Sequence, residues 1–406
     1  MRPQELDVDV VVAGGGPAGS AAAIVLARAG RRVLLADLSL VRPPALKVGE
    51  TLPAVAAIAL RDLVLHELIE DSGVGIPSAG TSAAWGGEQP LENDAIVDPH
   101  GHGWHLERAR FDALLREQAR AAGAQLCVGR VAARLVGAGA SELAAMQVQI
   151  GEQAMSVTCR WVVDATGRRA AIARGQGARR ERRDRLVALY APVQTRRGDV
   201  DARTRVEATP AGWWYSALVG DGRRVVAFLT DADLVEPEWR TRVGFRAALD
   251  GTVHLLPAGT ATLTSDPATT AAHGTRLTPA VGKGWLAVGD AALAFDPLSS
   301  QGILNALITG LQGAMAVDAF LRGDGGATLA YERRLAGVWS AYELNRARAY
   351  ALERRWPDAE FWARRAEPGQ AGPVRSEAGS SPGGGCYTQK VPVRIAVPSR
   401  RPSSSS

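Results

Sequence analysis

The feature that most constrains the fold of this chain is a strand–turn–helix–strand pattern in residues 8–37. A run of valines leads into a turn in which Gly14, Gly16 and Gly19 have the spacing G-x-G-x-x-G. An alanine-rich helix follows, and a second apolar run ends on Asp37. The first glycine allows a tight turn, the second lets the backbone approach a pyrophosphate, and the third lets helix and strand pack closely. The pattern therefore predicts a βαβ unit.

The same unit predicts a dinucleotide-binding site. The first turn of a helix presents unpaired N–H groups and the positive end of the helix dipole, and both attract phosphate. A carboxylate at the end of the second strand, here Asp37, can bind the hydroxyls of the adenosine ribose. The sequence has no second turn of this type after a strand, which indicates one dinucleotide domain and no separate nicotinamide domain.

Composition and charge exclude several other classes of protein. Of the 406 residues, 46% are hydrophobic, and no apolar run reaches the roughly 18 residues that a membrane span needs. The net charge of +5 includes a basic C-terminal tail, so a nucleic-acid partner is not implied. Three cysteines fit neither a disulfide framework nor a metal site. No signal peptide precedes the first strand, so we expect a cytoplasmic protein without a membrane partner.

The rest of the chain predicts an α/β fold, α+β overall. Apolar runs at residues 161–164 and 284–289 can join the first strand in the parallel sheet of a Rossmann-like domain. Residues 186–265 alternate like antiparallel strands and predict a substrate domain. The Gly-, Pro- and Ser-rich residues 366–406 are expected to be a disordered tail.

We interpret residues 1–365 as a single two-part unit. The parts that would bind the dinucleotide are about residues 1–70, 100–185 and 275–325. The substrate-domain parts are about residues 71–99 and 186–274, and C-terminal helices occupy residues 326–365.

Three segments together resemble the FAD-binding fold of the para-hydroxybenzoate hydroxylase type. They are the glycine turn at residues 14–19, Val-Val-Asp-Ala-Thr-Gly at residues 162–167, and Gly-Asp at 289–290 followed by Asp-Pro-Leu-Ser-Ser-Gln-Gly at 296–302. The resemblance covers about residues 8–350 and implies FAD as the cofactor. In physical terms, a carboxylate at a strand end can accept hydrogen bonds from ribityl hydroxyls. Helix-opening N–H groups can face the flavin edge where negative charge develops on reduction.

The resemblance assigns cofactor contacts residue by residue. Arg108 matches a family arginine near the cofactor phosphates, with Arg110 or a plain surface position as the alternatives. The residues that it predicts to bind FAD are Gly14, Gly16, Pro17, Ala18, Gly19, Asp37, Lys47, Arg108, Val131, Asp164, Gly167, Gly289, Asp290, Pro297, Ser300, Gln301, Gly302 and Ile303.

Departures from the hydroxylase pattern point to one branch of this fold. Hydroxylases that bind NADPH directly resemble Asp-Gly-x-x-Ser-x-x-Arg in the middle segment, where this chain has Asp164-Ala-Thr-Gly167. The last segment usually reads Pro-x-x-Gly-x-Gly, and here Ser300 replaces the first of those glycines.

The branch indicated by these departures contains flavin-dependent halogenases, prenyl-chain reductases and flavoproteins that modify tryptophan in quinone-cofactor enzymes. Lys-Val-Gly-Glu at residues 47–50 and Phe-x-Pro-x-Ser-x-x-Gly at residues 295–302 are similar to this branch. The Trp-x-Trp-x-Ile-Pro motif of the halogenases is absent, and Gly-Trp-Trp-Tyr-Ser at residues 212–216 stands in the predicted substrate domain.

The resemblance implies a FAD-dependent monooxygenase that hydroxylates an aromatic substrate, including an indole or a carrier- or peptide-bound ring, through a C4a-hydroperoxyflavin. Two alternatives remain open. One is a halogenase or a double-bond reductase on the same scaffold. The other is a maturation flavoprotein that modifies a tryptophan of a partner protein. Electrons would come from a separate flavin reductase or from NAD(P)H.

The candidates for catalysis are Lys47, Glu50, His105, Trp213 and Trp214. Lys47 is either a halogenase-type lysine that captures hypohalous acid or a part of the flavin loop. Glu50 is either a base or a loop anchor.

The remaining candidates also have two interpretations each. His105 either orients substrate or moves a proton near the flavin, or it belongs to a surface loop. A metal site with His100 and His102 lacks a fourth ligand, so no metal is predicted. Trp213 and Trp214 are either an aromatic wall for a planar substrate or part of the core.

One dense basic stretch lies at residues 168–185, where eight arginines accompany Glu181 and Asp184. It is either a solvated loop or a docking face for an acidic protein partner.

Overall fold

The structure, a computed structural model, describes residues 5–40, 48–136, 145–150, 155–195, 199–220, 222–256 and 262–366. Lys47 lies outside the described residues, and so does the predicted tail from residue 367 onward.

Strands make up most of the regular structure. In chain order they are β1 (Glu5–Ala13), β2 (Val33–Ala36), β3 (Thr51–Leu52), β4 (Gly75–Pro77), β5 (Gly80–Ala84), β6 (Leu91–Asp94), β7 (Trp104–Leu106), β8 (Gln125–Cys127), β9 (Val131–Val136), β10 (Ala145–Ile150), β11 (Met155–Asp164), β12 (Arg179–Arg182), β13 (Leu186–Gln194), β14 (Arg203–Thr209), β15 (Gly212–Leu218), β16 (Arg223–Asp231), β17 (Thr262–Leu263), β18 (Ala268–Ala271), β19 (Thr275–Thr278), β20 (Val281–Gly282), β21 (Trp285–Ala287) and β22 (Leu293–Ala294).

Helices cover the sheets. In chain order they are α1 (Pro17–Arg28), α2 (Ala56–Asp62), α3 (His66–Ser72), α4 (Arg108–Ala121), α5 (Ala171–Gly175), α6 (Arg242–Asp250), α7 (Gly302–Leu321), α8 (Ala327–Ala351) and α9 (Glu360–Ala363).

One layer is a mainly parallel sheet in the order β20-β21-β11-β1-β2-β8. Val11 in β1 lies opposite Val162 in β11 on one side and opposite Leu34 in β2 on the other. Strand β1 is buried on both faces, which explains its continuous valine run in place of alternation. Strand β21 continues the parallel pairing next to β11. The predicted Rossmann-like parallel sheet is therefore confirmed.

Helix α7 packs against α1 at very close range. A Cβ at Gly310 would lie 2.2 Å from the carbonyl oxygen of Ala18, so only glycine permits this approach. Helix α7 is long and apolar enough to cross a membrane by length and composition, but 67% of its apolar window is buried inside the protein. It is thus placed as a core helix, and its close contact with α1 holds the glycine turn beside the start of α7.

The second large layer is the mostly antiparallel sheet in the order β17-β13-β16-β15-β14-β5-β6. Strand β16 pairs antiparallel with both β13 and β15, and Phe228 of β16 lies opposite Leu189 and Trp214. This confirms the antiparallel sheet predicted for residues 186–265. The sheet also takes in β5, which pairs in parallel with β14.

The predicted C-terminal helices are present as α8 and α9 and pack on the antiparallel sheet. The indole N–H of Trp85 donates to the carbonyl oxygen of Ala349 at 2.8 Å, and that of Trp362 donates to Thr209 at 2.8 Å. The division of the chain into cofactor and substrate parts stays a prediction, as does the cytoplasmic location.

Candidate active site

A cleft of about 700 Å³ lies between the two large sheets. The predicted cofactor residues that line it are Gly14, Gly16, Pro17, Ala18, Asp37, Arg108, Val131, Gly167, Asp290, Pro297, Ser300, Gly302 and Ile303. The facing wall is the antiparallel sheet, through Ala188, Tyr190, Tyr215, Ala227 and Leu229. Residues from distant parts of the sequence thus form one continuous surface, although their contacts with a cofactor stay proposals.

The glycine turn has the geometry that each glycine predicts. Gly14 has a φ of +107°, and a Cβ there would lie 2.3 Å from the carbonyl oxygen of Ala165. A Cβ at Gly19 would lie 1.8 Å from the carbonyl oxygen of Gly14, which explains why Gly19 packs behind the turn and does not line the cleft. A Cβ at Gly16 would meet no atom within 4 Å, so this position opens into the cleft.

Asp37 directly follows β2 and lines the cleft. Its Oδ2 accepts hydrogen bonds from the Gly15 amide at 2.8 Å and the Ser39 hydroxyl at 2.7 Å. Its Oδ1 accepts from the Ser39 amide at 2.9 Å. The carboxylate is therefore fixed next to the glycine turn, where an adenosine ribose would lie.

Asp164 has a different position from the one predicted. It is fully buried and does not line the cleft. Its Oδ1 accepts from the amide and hydroxyl of Thr166, at 3.0 and 2.6 Å, and its Oδ2 accepts from the Ala173 amide at 2.8 Å. The prediction that Asp164 binds the cofactor is corrected: its oxygens organise the turn that brings Gly167 to the cleft.

Asp290 lines the cleft, and its carboxylate lies 3.7 Å from Nε of Arg168. Its neighbour Gly289 does not line the cleft; its amide donates to Thr309 Oγ1 at 2.8 Å. The sequence analysis missed Arg180, which donates to the carbonyl oxygens of Asp290 and Ala291 at 2.8 and 3.0 Å. Burial lowers the pKa of Arg180 to about 10. No local sequence signal brings β12 beside this turn.

The segment before α7 curves around the far end of the cleft. Ser300 has a φ of +50°, in the left-handed region that favours glycine, which accounts for glycine at this place in the hydroxylase pattern. Pro297 and Gly302 line the cleft, whereas Gln301 serves as the N-cap residue of α7 and does not.

Asp296 also lines the cleft and anchors this segment to α8. It is 1% exposed, and its Oδ2 accepts hydrogen bonds from the Tyr350 hydroxyl at 2.8 Å and from Arg346 Nε at 3.3 Å. Arg346 also forms an ion pair with Asp184. Burial raises the pKa of Asp296, while the Arg346 charge opposes that shift. The sequence analysis missed Tyr350 and Arg346, because both are carried by the distant helix α8.

Arg108, and not Arg110, reaches the cleft. Its guanidinium donates to the carbonyl oxygen of Gly49 at 2.9 Å and pairs with Asp112 at 3.2 Å. Arg110 instead donates to surface carbonyl oxygens of the α3 end at 3.2 Å. Arg108 therefore holds the backbone that carries Glu50.

Glu50 is a buried carboxyl group that lines the cleft. Its Oε2 lies 3.4 Å from the Tyr215 hydroxyl, and its Oε1 has no hydrogen-bond partner among the described residues. Burial raises its pKa to about 7, although the Arg108 charge and the amides of Gly49 and Glu50 act in the opposite direction.

His105 does not reach the cleft, so the direct catalytic role predicted for it is corrected. The ring is fully buried in β7, with Nδ1 3.1 Å from the Leu218 carbonyl oxygen and Nε2 2.8 Å from Thr204 Oγ1. His102 contacts the carbonyl oxygen of Gly103. In the part of the chain that the structure describes, no group of three possible metal ligands is found.

Trp213 and Trp214 are core residues, which corrects the predicted aromatic wall. Trp213 is 1% exposed and donates to the Tyr350 hydroxyl at 3.2 Å. Trp214 points to the opposite face of the sheet and stacks on Phe228 with ring centroids 4.7 Å apart. Neither lines the cleft, whereas Tyr215 does. The tyrosine next in sequence is thus the aromatic residue that the triplet contributes to the site.

Replacing Trp214 by alanine should therefore lower the free energy of unfolding, by about 3–5 kcal/mol, because it opens a large cavity in the core. Denaturant unfolding measures this loss. The half-buried Trp356 offers a control, for which a smaller loss is expected. If the free energy of unfolding were unchanged and the KM for the substrate were raised, Trp214 would line the substrate pocket and not the core.

The basic stretch at residues 168–185 is partly turned inward. Arg168 and Arg180 donate to backbone carbonyl oxygens, and Arg183 and Arg185 form ion pairs with acids elsewhere in the fold. Six members are exposed, namely Arg169, Arg174, Arg179, Arg182, Arg183 and Arg185, and the last two are those in ion pairs. The remaining exposed charge is smaller than the sequence suggests, and a docking role stays a prediction.

The residues present fit a bound FAD. The open position at Gly16 and the first turn of α1 leave room and N–H groups for a pyrophosphate. Asp37 follows β2, the glycine turn follows β1 and Asp290 follows β21, so these groups stand in that order along the sheet β2-β1-β11-β21. This is the order in which adenosine, pyrophosphate and flavin would follow one another.

A model of the tryptophan halogenase family matches residues 78–368. This chain belongs to that family. A relative from Marinomonas mediterranea, the putative FAD-dependent oxidoreductase LodB, is 28% identical over 370 residues, or 88% of this chain and 96% of that protein. The resemblance seen in the sequence is confirmed, FAD is the cofactor, and the chain is a FAD-dependent oxidoreductase.

Solved structures of two other proteins share this fold. The myxobacterial chondrochloren halogenase CndH has a TM-score of 0.78 at 23% identity, covering 89% of this chain and 86% of its own. The peptidyl tryptophan dihydroxylase QhpG, essential for tryptophylquinone cofactor biogenesis, has a TM-score of 0.70 at 24% identity, covering 88% and 78%.

Proposed function

We propose that this chain uses FAD to modify an electron-rich aromatic ring and that the modification is halogenation. The observation that carries the proposal is that the cofactor segments and the apolar face of the antiparallel sheet line one cleft. Membership of the tryptophan halogenase family favours a halogen as the transferred group. Halogenation thereby replaces hydroxylation, the activity expected from the sequence, as the first candidate.

The chain would supply position and a dry pocket. FAD, when bound and reduced, supplies the activation of molecular oxygen. The N–H groups at the start of α7, which lines the cleft, would favour negative charge on a flavin edge bound next to them. Ala227 and Leu229 offer apolar side chains in the cleft against which a planar ring could lie.

Lys47 is proposed as the amine that captures hypohalous acid. It directly precedes residues 48–51, which line the cleft. The chain has two other lysines, Lys283 and Lys390; Lys283 is exposed, and none of the described residues that line the cleft is a lysine.

Replacing Lys47 by methionine should abolish a halide-dependent product while FAD content and oxygen consumption stay close to wild type. The protein is supplied with a flavin reductase, NADH, bromide or chloride, and a panel of indoles, pyrroles and phenols. Mass spectrometry then distinguishes a halogen in place of hydrogen from an added oxygen atom. Lys283→Met is the matched control, and a product formed equally well without halide would contradict halogenation.

Hydroxylation, of a free ring or of a tryptophan in a partner protein, is the second candidate. It is favoured by the missing Trp-x-Trp-x-Ile-Pro motif. The similarity to the peptidyl tryptophan dihydroxylase QhpG supports a peptide-borne ring as the substrate in that case. A product carrying added oxygen in both Lys47→Met and wild type would favour it.

The source of electrons is proposed to be a separate flavin reductase. The middle segment reads Asp164-Ala-Thr-Gly167 and lacks the pattern of hydroxylases that bind NADPH directly. Direct reduction by NAD(P)H is the alternative, and omitting the reductase from the same assay separates the two.

A further inference from the structure

Three arginines line the cofactor cleft in addition to Arg108. They are Arg130, which stands between β8 and β9, and Arg168 and Arg169, which follow Gly167. Arg130 and Arg169 are exposed, and Arg168 is half-buried. Guanidinium groups that line a cleft and also reach solvent mark its opening, so the opening of this cleft carries positive charge.

Other arginines extend this positive surface away from the opening. The carbonyl oxygen of His273 accepts a hydrogen bond from Arg168 at 2.6 Å. Burial lowers the pKa of His273 to about 4, and the charges of Arg168 and Arg182 act in the same direction. Burial also lowers the pKa of Arg180, and there the charges of Arg168 and Arg174 add to the effect. Arg174 and Arg182 therefore both lie near Arg168, although neither lines the cleft.

The acidic residues of the same stretch do not cancel this charge. Glu181 pairs with Arg276 at 2.6 Å, and Asp184 pairs with Arg346. Both carboxylates are thus engaged by arginines from other parts of the chain. Four exposed arginines form no ion pair within the described residues, namely Arg169, Arg174, Arg179 and Arg182. The surface beside the opening therefore keeps an excess of positive charge.

We propose that these cations draw the pyrophosphate of FAD from solution into the cleft. We call the group the arginine rim, and it consists of Arg130, Arg168, Arg169, Arg174 and Arg182. Guanidinium groups are weakly hydrated and complement phosphate. A cleft bordered by charges of one sign focuses their field and raises the association rate of an oppositely charged ligand by about 10–1000-fold. The rim is thus a capture surface for a diphosphate ligand.

Two observations favour FAD over an acidic protein as the occupant of the rim. Arg130, Arg168 and Arg169 line the cleft itself, where a cofactor fits and the surface of a folded partner does not. With a separate flavin reductase as the electron source, FAD also has to enter the cleft repeatedly, so its association rate matters for supply. The inference rests on that proposed reductase and on the cleft as the FAD site, and not on which group is transferred to the substrate.

The test measures the association of FAD with the apoprotein by stopped-flow fluorescence, without turnover. Raising the salt concentration from about 10 mM to about 1 M shortens the screening length from about 30 Å to about 3 Å. The association rate constant of the wild type should fall at least about tenfold over this range. The double variant Arg174→Glu/Arg182→Glu should associate about tenfold more slowly at low salt and dissociate at close to the wild-type rate, because neither residue touches the cleft. At high salt the two proteins should associate equally fast.

The matched control is Arg240→Glu/Arg242→Glu, which changes the net charge by the same amount. Both arginines are exposed and form no ion pair within the described part of the chain. They stand at the start of α6, whose Phe245 packs against Trp214 on the sheet face opposite the cleft. FAD should associate with this control at close to the wild-type rate.

Four results would overturn the inference. Salt-independent association with the wild type would exclude long-range attraction, and this measurement needs no variant. Equal slowing in the control would assign the effect to net charge alone. Normal FAD association in Arg174→Glu/Arg182→Glu, with slow reduction only when the reductase is present, would make the surface a docking face for an acidic protein. An apoprotein that takes up no FAD would contradict the cleft assignment together with the rim. Because only binding is measured, the outcome is separate from that of the halogenation assay.

Discussion

Replacing Gly16 by valine is expected to give a folded protein that no longer takes up FAD. Gly16 is the N-cap residue of α1 and has an extended backbone, with φ of −76° and ψ of −175°, which valine can adopt. A Cβ there meets nothing within 4 Å, so the fold tolerates the side chain, but it projects into the space that the pyrophosphate needs. Losing charge-assisted N–H contacts of about 1.5–3 kcal/mol each should weaken FAD binding at least about a hundredfold.

Titration of the apoprotein with FAD, together with a thermal melt, measures both sides of this expectation. Gly337→Val is the matched control, since Gly337 is exposed in α8 and also has open space around it. Gly19→Val provides the contrast, because its Cβ would meet Gly14 and disturb the fold. Near wild-type FAD affinity in Gly16→Val would show that the pyrophosphate lies elsewhere.

Replacing Arg346 by methionine should be among the most destabilising single changes in this protein. Its guanidinium lies between Asp296 and Asp184, and its side chain is only 10% exposed. Removing the cation leaves Asp296 buried without its ion-pair partner, and breaking a buried ion pair in this way costs about 3–5 kcal/mol. Since Asp296 anchors the segment that leads to Pro297, we also expect FAD to dissociate faster.

Urea unfolding of the apoprotein and the rate of FAD release from the holoenzyme check the two effects separately. Arg276→Met is the control: this arginine pairs with Glu181 at an exposed site, where both side chains are more than 40% exposed. Such surface pairs are worth about 0–1 kcal/mol. If the two variants lost equal stability, the network around Asp296 would not hold the flavin segment.

Much of the cofactor cleft could be predicted from the sequence. The glycine turn, Asp37 and Gly302 are recognisable because each stands at the end of a strand or the start of a helix, where local geometry decides what the backbone can approach. These residues line one cleft, as expected from the rule that ligands bind beyond the carboxyl ends of parallel strands. Asp164 shows the limit of that rule. It also ends a strand, but its carboxylate accepts hydrogen bonds from Thr166 and Ala173, which follow it in the chain.

The catalytic side of the cleft was harder to predict. Trp213 and Trp214 carry an evident aromatic signal, yet β15 is covered on both faces, so both rings pack into cores. His105 is a candidate because of its chemistry, but its ring is buried and hydrogen-bonded within the protein interior. Alternation along a strand shows which residues share a face, but not which face meets the cleft.

By itself, the sequence determined that this chain has a FAD-type βαβ unit, a parallel sheet and a second antiparallel layer, because hydrophobic periodicity and glycine spacing are local properties of the chain. Only the tertiary structure decided that Tyr215 is the aromatic residue in the cleft, that Asp296 is anchored by α8, and that the buried carboxyl group of Glu50 lies beside Tyr215. Glu50 and Tyr215 are 165 residues apart in the chain. Burial and hydrogen-bond direction arise only when such distant segments pack together, and no local pattern encodes them.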